Sequence, residues 1–294
     1  MTSDSIKGTL CVTVTAVSAG ILPSLAFIAF DRGVTDRLLL YSEFAYAAVI
    51  LWIIAVIKKE KILLNGKQYA QIGAVTFFFF MGAVFLFRAF EHMSGSLATV
   101  ISFTFPAVVV VMEMAMGKRK PSAVRIAAAA VSVAGVAAVC GGGGNASLRG
   151  VVLASAASLC YAAYTMILDM DEIKNASSVV TTAYIFTGAA VLHFIRCVIS
   201  GSEVLPQNMS QLGIILSIAL ICGFLNFYCY LIGIKYIGPG NAALIDAFEP
   251  VVACIAGSII LGDTFTAGAV IGCLMIFISV VLANLPEGNP GRRK

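Results

Sequence analysis

The stretch from Phe77 to Ala115 reads FFFFMGAVFLFRAFEHMSGSLATVISFTFPAVVVVMEMA, and its pattern returns about 144 residues later. The later stretch, Gly223 to Ile259, reads GFLNFYCYLIGIKYIGPGNAALIDAFEPVVACIAGSI. In each stretch an apolar run ends in a Gly/Ser/Pro elbow, and a second apolar run carries a proline about a dozen residues further on. Pro106 corresponds to Pro250 at this one offset. A chain that repeats its own pattern is predicted to consist of two related halves.

Composition places the chain in a membrane. Of its 294 residues, 60% are apolar and only 12% are charged, and the mean hydropathy is +0.98. A soluble domain carries roughly one-quarter charged residues. The net charge of +4 therefore informs topology, and no basic cluster is interleaved with aromatic residues as nucleic-acid binding requires. The eight cysteines lack CxxC or Cys/His spacing, so they are predicted to be buried apolar residues, and neither a metal nor another cofactor is expected.

Ten segments are close to the length of about 20 residues that crosses the hydrocarbon of a bilayer. They are residues 8–30, 38–57, 69–88, 95–116, 123–140, 150–168, 178–199, 211–233, 240–261 and 267–285. The predicted halves are residues 1–145 and 146–294, with five helices each. The fold class is therefore predicted to be an all-α membrane protein with ten transmembrane helices in two repeats around a central cavity.

The distribution of Lys and Arg predicts the orientation. With a cytoplasmic amino terminus, fourteen of the 19 basic residues fall on the inner side and five on the outer side, and both termini are cytoplasmic. Five spans per half is an odd number, so the second half must enter the membrane inverted. Two inverted halves can open a central cavity to either side in turn, which is the geometry of a transporter. The alternative is a duplication that only enlarged a helical bundle.

Ionisable residues in the apolar spans predict a site, because each costs roughly 2.5–3.5 kcal/mol in hydrocarbon and usually faces a cavity or a partner. Asp246 and Glu249 are three residues apart and share one helical face. They are predicted to face a cavity or to bind a proton. Glu43 and Arg88 fall at similar depth, so they either neutralise each other or act as a gate. His193 is interpreted as a satisfied buried histidine and not as a ligand.

Several short motifs resemble, in their order and spacing, the bacterial ten-helix drug/metabolite transporters with two EamA domains. The motifs are Tyr161-Ala162-Ala163-Tyr164-Thr165, Asn241-Ala242-Ala243-Leu244 with Glu249-Pro250, Gly262-Asp263, and in the first half Arg88-Ala89-Phe90, Ser96-Leu97-Ala98 and Pro106. The resemblance covers nearly the whole chain and implies a central cavity lined by the first, third, fourth, sixth, eighth and ninth helices. The substrate-binding residues that it implies are Ser18, Ser102, Tyr164, Asn226, Tyr230, Asp246 and Glu249.

One departure from the family pattern bears on the substrate. An Arg-Phe pair in the second helix of relatives corresponds here to Glu43-Phe44. An acid in place of a base suggests a cavity that tolerates zwitterions or cations. The expected function is export of small polar metabolites, amino acids or derivatives, by alternating access, with Glu249 or Asp246 available for proton coupling. The alternatives are exporters or exchangers of cationic, quaternary ammonium, nucleoside-like or vitamin-like metabolites.

An intramembrane enzyme is the alternative from another class. His92 lies beside Ser94-Gly95-Ser96, but at a membrane edge and without a third group to orient the base. The sequence also contains no HExxH motif and no nucleotide-binding glycine loop. A protein that is not an enzyme is therefore expected. Its expected partners are a small-molecule substrate and the lipid bilayer of a bacterial inner membrane, without nucleic acid, and it is expected to be a monomer or a homodimer.

Overall fold

Ten apolar helices form the described part of the fold. The computed structural model describes residues 3–117, 122–141, 147–170, 173 and 176–284, and within these ranges no strand occurs. Eight of the described helices are long and apolar enough to cross a membrane, and two more are apolar but shorter. The helices are α1 (Ser3–Asp31), α2 (Asp36–Ile57), α3 (Gly66–Ala89), α4a (Gly95–Ser102), α4b (Phe105–Ala115), α5 (Ala123–Gly141), α6 (Leu148–Leu168), α7 (Ser178–Ile199), α8 (Met209–Ile237), α9a (Pro239–Asp246), α9b (Glu249–Ala256) and α10 (Ala267–Asn284). The predicted all-α class is confirmed.

Polar residues in the short connections begin several helices. The side chains of Thr35 and Ser94 each accept a hydrogen bond from the backbone N–H three residues ahead, at the starts of α2 and α4a. Asn65 and Gln68 form a capping box at the start of α3. These side chains satisfy N–H groups that the first turn of a helix leaves without a partner. The apolar runs are therefore separated into helices at these polar residues.

The fourth and ninth helices are each broken just before a proline. α4a ends at Ser102 and α4b begins at Phe105, whereas α9a ends at Asp246 and α9b begins at Glu249. Both breaks lie at the same offset of 144 residues, since 105 corresponds to 249 and 102 to 246. Proline lacks an N–H and disfavours helical geometry in the residue before it, so the helix is interrupted there. The matching breaks confirm the repeat that the sequence pattern predicts.

The packing of the helices repeats when each helix is exchanged for its counterpart in the other half. α2 packs against its counterpart α7, and α5 packs against its counterpart α10. α3 packs against α6, and the equivalent pair of α8 and α1 is also in contact. This exchange of contacts is the pattern expected of two halves that repeat one five-helix unit. The predicted boundary between the halves, at residues 145 and 146, lies outside the described residues.

Equivalent helices begin at opposite ends of the bundle. Gly95, the first residue of α4a, lies against Pro23 and Phe27 in the second half of α1. Ile237, which precedes α9a, lies against Gly8 near the start of α1. We call the first the α3–α4 end and the second the α8–α9 end. The two broken helices therefore approach the middle of the bundle from opposite sides.

Candidate functional site

A cavity of about 380 Å³ lies between the two halves. Its wall includes residues of α1, α3, α4, α6, α8 and α9, the helices that the family resemblance implies, and it also includes Leu40, Glu43 and Phe44 of α2. The polar residues of the wall are Thr15, Glu43, Thr99, Ser102, Tyr161, Tyr164, Thr165, Cys222, Asn226, Tyr230, Asp246 and Glu249.

Six of the seven predicted substrate-binding residues line this cavity. They are Ser102, Tyr164, Asn226, Tyr230, Asp246 and Glu249. The seventh, Ser18, is buried outside the wall, and its hydroxyl donates a hydrogen bond to the carbonyl oxygen of Thr15 at 3.0 Å. Serine hydroxyls in helices commonly bond to the preceding turn in this way. That the six residues bind a substrate stays a prediction.

The predicted neutralisation of Glu43 by Arg88 is wrong. Arg88 Nη1 donates to Glu91 Oε1 at 2.8 Å, and the two side chains are 40% and 48% exposed. The pair forms because Glu91 follows Arg88 by only three residues. Glu43 is instead 4% exposed on the cavity wall, and in the described part of the chain its Oε2 has no hydrogen-bond partner. A role of Arg88 in gating stays a prediction.

The break in α9 brings two carboxyl groups to the wall. Asp246 is the last residue of α9a and Glu249 is the first residue of α9b. α1 approaches this break closely, because a Cβ at Gly20 would lie 2.6 Å from the Val252 Cβ and 2.8 Å from the Glu249 carbonyl oxygen. The Oδ1 atom of Asp246 is buried without a hydrogen-bond partner among the described residues. The equivalent positions in α4 are a serine and a phenylalanine, so this acidic break is specific to the second half.

A π-helical segment of α8 shapes the wall beside Glu43. This segment, Ala219–Leu225, widens the turn just before Asn226. A Cβ at Gly223 would lie 3.2 Å from Glu43 Cγ, so the glycine lets α8 approach the acidic side chain. Short π-helical segments are rare and frequently occur at functional sites. The sequence does not reveal this one, because an apolar run fits a π period as well as an α period.

Two reciprocal hydrogen bonds join the halves at the cavity. Thr15 Oγ1 donates to the carbonyl oxygen of Asn226 at 3.2 Å, and Asn226 Nδ2 donates to the carbonyl oxygen of Thr15 at 3.3 Å. These bonds connect α1 of the first half with α8 of the second. Sequence reasoning missed Thr15, since a single threonine in an apolar helix usually bonds within its own turn.

Aromatic residues form much of the remaining wall. The ring centroid of Phe79 lies 5.1 Å from that of Phe44, 5.4 Å from that of Tyr164 and 6.3 Å from that of Phe227. All four residues line the cavity. Sequence reasoning missed Phe79, because four consecutive phenylalanines at residues 77–80 do not indicate which ring faces inward.

The cavity is capped at the α3–α4 end. Four rings pack there with centroid separations of 5.0–6.3 Å, those of Phe27, Phe30, Phe87 and Phe90. Beside them, the Ser96 hydroxyl lies 2.9 Å from Asp263 Oδ2 and 3.0 Å from the Ala253 carbonyl oxygen. These contacts join α4a of the first half to the end of the ninth helix in the second half.

His193 lies away from the cavity wall. It is fully buried, stacks on Phe44 at a centroid distance of 5.7 Å and packs against Phe80 at 4.6 Å. Neither ring nitrogen has a hydrogen-bond partner among the described residues, so the expectation of a satisfied histidine is wrong. The described part of the chain contains no group of three or more His, Cys, Asp or Glu residues that could hold a metal ion.

Comparisons with known proteins find the same two halves. The model of the EamA-like transporter family matches residues 6–141 and again residues 148–285. The uncharacterized transporter YcbK of Bacillus subtilis (strain 168) is 26% identical over 273 residues, which cover 88% of this chain and 86% of that protein. An uncharacterized transporter of Clostridium kluyveri is 22% identical over 288 residues, which cover 94% of this chain and 92% of that protein. One solved crystal structure is 16% identical in sequence and superposes with a TM-score of 0.65. The match covers 92% of this chain and 96% of the chain in that structure, which shows a shared fold.

Proposed function

Since the chain belongs to the EamA-like transporter family and is a membrane transporter rather than an enzyme, we propose that it exports small polar metabolites, amino acids or derivatives, by alternating access. The observation that supports this best is the central cavity with carboxyl groups at the break of the ninth helix. Its volume of about 380 Å³ lies near the low end of the range of about 300–1,000 Å³ that is usual for small-molecule sites. A single small metabolite therefore fits it.

The arrangement of the two broken helices supports alternating access. α4 and α9 are interrupted at equivalent residues and start from opposite ends of the bundle, as an inverted repeat requires. In such a repeat, contacts that cap the cavity at one end have equivalents that can cap it at the other end. Opening at the α3–α4 end would separate Ser96 from Asp263, and closing at the α8–α9 end would follow.

The excess of basic residues on one side supports the proposed placement. Fourteen of the 19 Lys and Arg residues fall on the side of the amino terminus, so we place both termini in the cytoplasm of a bacterium and the chain in its inner membrane. The α3–α4 end then faces outward. Residues 1–145 and 146–294 are the proposed repeats, and the functional unit is proposed to be a monomer or a homodimer without nucleic acid.

Proton coupling is proposed to depend on the two carboxyl groups at the α9 break. Two like charges close together in a low-dielectric cavity repel each other, so a bound proton or cation lowers the energy of the cavity. Glu249, the first residue of α9b, is the proposed coupling residue, and Asp246 is its proposed partner. We expect Glu249→Gln to abolish uptake driven by a proton gradient.

The measurement uses the full chain in proteoliposomes and a radiolabelled mixture of amino acids and amines. Gradient-driven uptake is compared with counterflow, in which unlabelled compounds inside exchange for labelled compounds outside without a gradient. The expected result for Glu249→Gln is lost uptake with retained counterflow. Wild-type uptake by this variant would remove Glu249 from the coupling step. The absence of counterflow by the wild-type protein with every compound would contradict the transport proposal itself.

A further inference from the structure

We propose that the cavity narrows the proposed substrates to organic cations, namely amines and quaternary ammonium compounds with an apolar or aromatic body. It therefore takes amino-acid derivatives without a carboxylate in preference to free amino acids. This inference rests on the proposed transport function and names the substrate class of the same site. It assigns Glu43 as the residue that contacts the cationic nitrogen.

The charge of the wall is the first argument. Glu43, Asp246 and Glu249 all line the cavity, and among its described wall residues none is Lys, Arg or His. Oε2 of Glu43 and Oδ1 of Asp246 have no hydrogen-bond partner in the described part of the chain. A buried carboxylate without a partner is costly, and a bound ammonium group supplies that partner. A ligand carboxylate would face these acidic groups and would find no basic side chain among the described wall residues.

The helix breaks do not supply a site for a ligand carboxylate. Half-helix amino termini in transporters often bind such groups through free N–H donors. At α4b, Pro106 has no N–H, and the N–H groups of Ala107 and Val108 donate to the carbonyl oxygen of Thr104 at 3.0 and 3.2 Å. At α9b, the first residue is itself an acid and a proline follows it. Neither terminus therefore supplies a donor site that would compensate for the acidic groups of the wall.

The position of Glu43 distinguishes it from the other two acids. Asp246 and Glu249 flank a helix break, whereas Glu43 lies within the unbroken helix α2, which packs along α7. The side chain is 4% exposed and is held between its own helix and Gly223 of the π-helical segment. A carboxyl group on a rigid helix suits recognition of a ligand, while carboxyl groups at a break suit a step that accompanies movement.

The aromatic wall completes the site for an organic cation. Phe44 adjoins Glu43 in sequence, and its ring contacts that of Phe79, which in turn contacts Tyr164 and Phe227. Aromatic faces attract ammonium groups through their quadrupole and also bind apolar bodies. Tyr164 lines the cavity, and a tyrosine hydroxyl can accept a hydrogen bond from an N–H of the ligand. A carboxylate and an aromatic wall together recognise both parts of an amine.

A matched set of probes tests this selectivity in the full-length purified protein. Phenethylamine, phenylalanine and phenylacetate share one aromatic body and differ in amine and carboxylate, and benzyltrimethylammonium tests a quaternary nitrogen. We expect phenethylamine and benzyltrimethylammonium to raise the unfolding temperature, with apparent affinities at least tenfold higher than that of phenylalanine. Phenylacetate is expected to have no effect. Equal or stronger stabilisation by phenylalanine or phenylacetate would overturn the proposal.

Two variants test the assigned contacts. Glu43→Gln keeps the size of the side chain and is expected to weaken phenethylamine binding at least tenfold, whereas Glu203→Gln, in the exposed α7–α8 loop, is expected to leave it unchanged. Phe79→Leu keeps an apolar side chain without a ring face and is expected to weaken binding of benzyltrimethylammonium. Wild-type affinity in both cavity variants would refute the assignment. The unfolding temperature without ligand shows whether each variant is folded.

Counterflow in proteoliposomes separates this inference from the transport proposal. Exchange of phenethylamine that exceeds exchange of phenylalanine at least tenfold supports both. Exchange of phenylalanine without exchange of phenethylamine would overturn the proposed cation selectivity but would still support the transport proposal. Stabilisation by phenethylamine without exchange of any probe would retain the cation site and count against transport.

Discussion

Gly257 determines how closely the two halves approach at the α3–α4 end. A Cβ at this residue would lie 2.0 Å from Ser96 Oγ and 2.6 Å from Asp263 Oδ2. The serine hydroxyl cannot move freely, because it lies in hydrogen-bond distance of both Asp263 and the carbonyl oxygen of Ala253. A glycine is therefore required for this contact between α4a and the ninth helix.

We expect Gly257→Ala to lower the free energy of unfolding by about 1–3 kcal/mol, because the added methyl group displaces Ser96 from its partners. The unfolding temperature in detergent measures this effect. Gly73→Ala is the matched control, since nothing lies within 4 Å of the Cβ that it adds and alanine stabilises a helix interior relative to glycine. Equal unfolding temperatures of the two variants would contradict the proposed role of Gly257.

For individual residues, the sequence predicted which acids line the cavity better than it predicted the hydrogen-bond partners of other polar side chains. Asp246 and Glu249 were expected at the cavity because charge in an apolar span is costly, and both line it. Ser18 and Arg88 instead donate hydrogen bonds to residues close to them in sequence, Thr15 and Glu91. Local hydrogen bonds compete with a cavity for polar side chains, and a sequence pattern does not show which of them forms.

At the level of helices, the close packing of α5 against α10 depends on two glycines that face each other. A Cβ at Gly272 would lie 2.6 Å from the carbonyl oxygen of Gly135 and 2.8 Å from the backbone N of Val139. Helices in membranes associate through such close approach of small residues. Because the neighbouring atoms belong to the backbone, a larger side chain cannot be accommodated by a change of rotamer.

We expect Gly272→Leu to destabilise the protein by about 3 kcal/mol or more, at the upper end of the cost of overpacking. Val133→Leu adds volume to α5 at a position that is 72% exposed and is expected to have little effect. Thermal unfolding and the monodispersity of the purified protein measure both. A Gly272→Leu variant as stable as Val133→Leu would show that α5 and α10 can move apart without loss of stability.

Helix positions were well predicted because hydropathy and polar connections define them. The seventh helix, for example, was expected and found at residues 178–199. The prolines indicated where α4 and α9 deviate from regular helical geometry, but they did not show that both helices are interrupted. The π-helical segments Ala219–Leu225 and Gly257–Leu261 were not predicted, since they follow from close contacts between helices and not from a local pattern. The contribution of α2 to the cavity depends on the same tertiary packing.

For the whole molecule, alternating access requires the two halves to separate at whichever end opens. At the α3–α4 end, the contact of Ser96 with Gly257 and Asp263 joins α4a to the end of the ninth helix. The aromatic cap formed by Phe27, Phe30, Phe87 and Phe90 lies beside this contact. A covalent link at this place should hold the halves in the present state.

The double variant Ser96→Cys with Gly257→Cys makes that link possible. A Cβ at Gly257 would lie 3.3 Å from the Ser96 Cβ, just below the usual separation of about 3.5–4.5 Å in disulfides. We expect oxidation of the double variant to reduce counterflow to background and a reductant to restore it, because the α3–α4 end can then no longer open. Each single variant, oxidised in the same way, controls for the native cysteines and for damage to the fold. Undiminished counterflow by the cross-linked protein would show that transport proceeds without separation of α4a from the ninth helix.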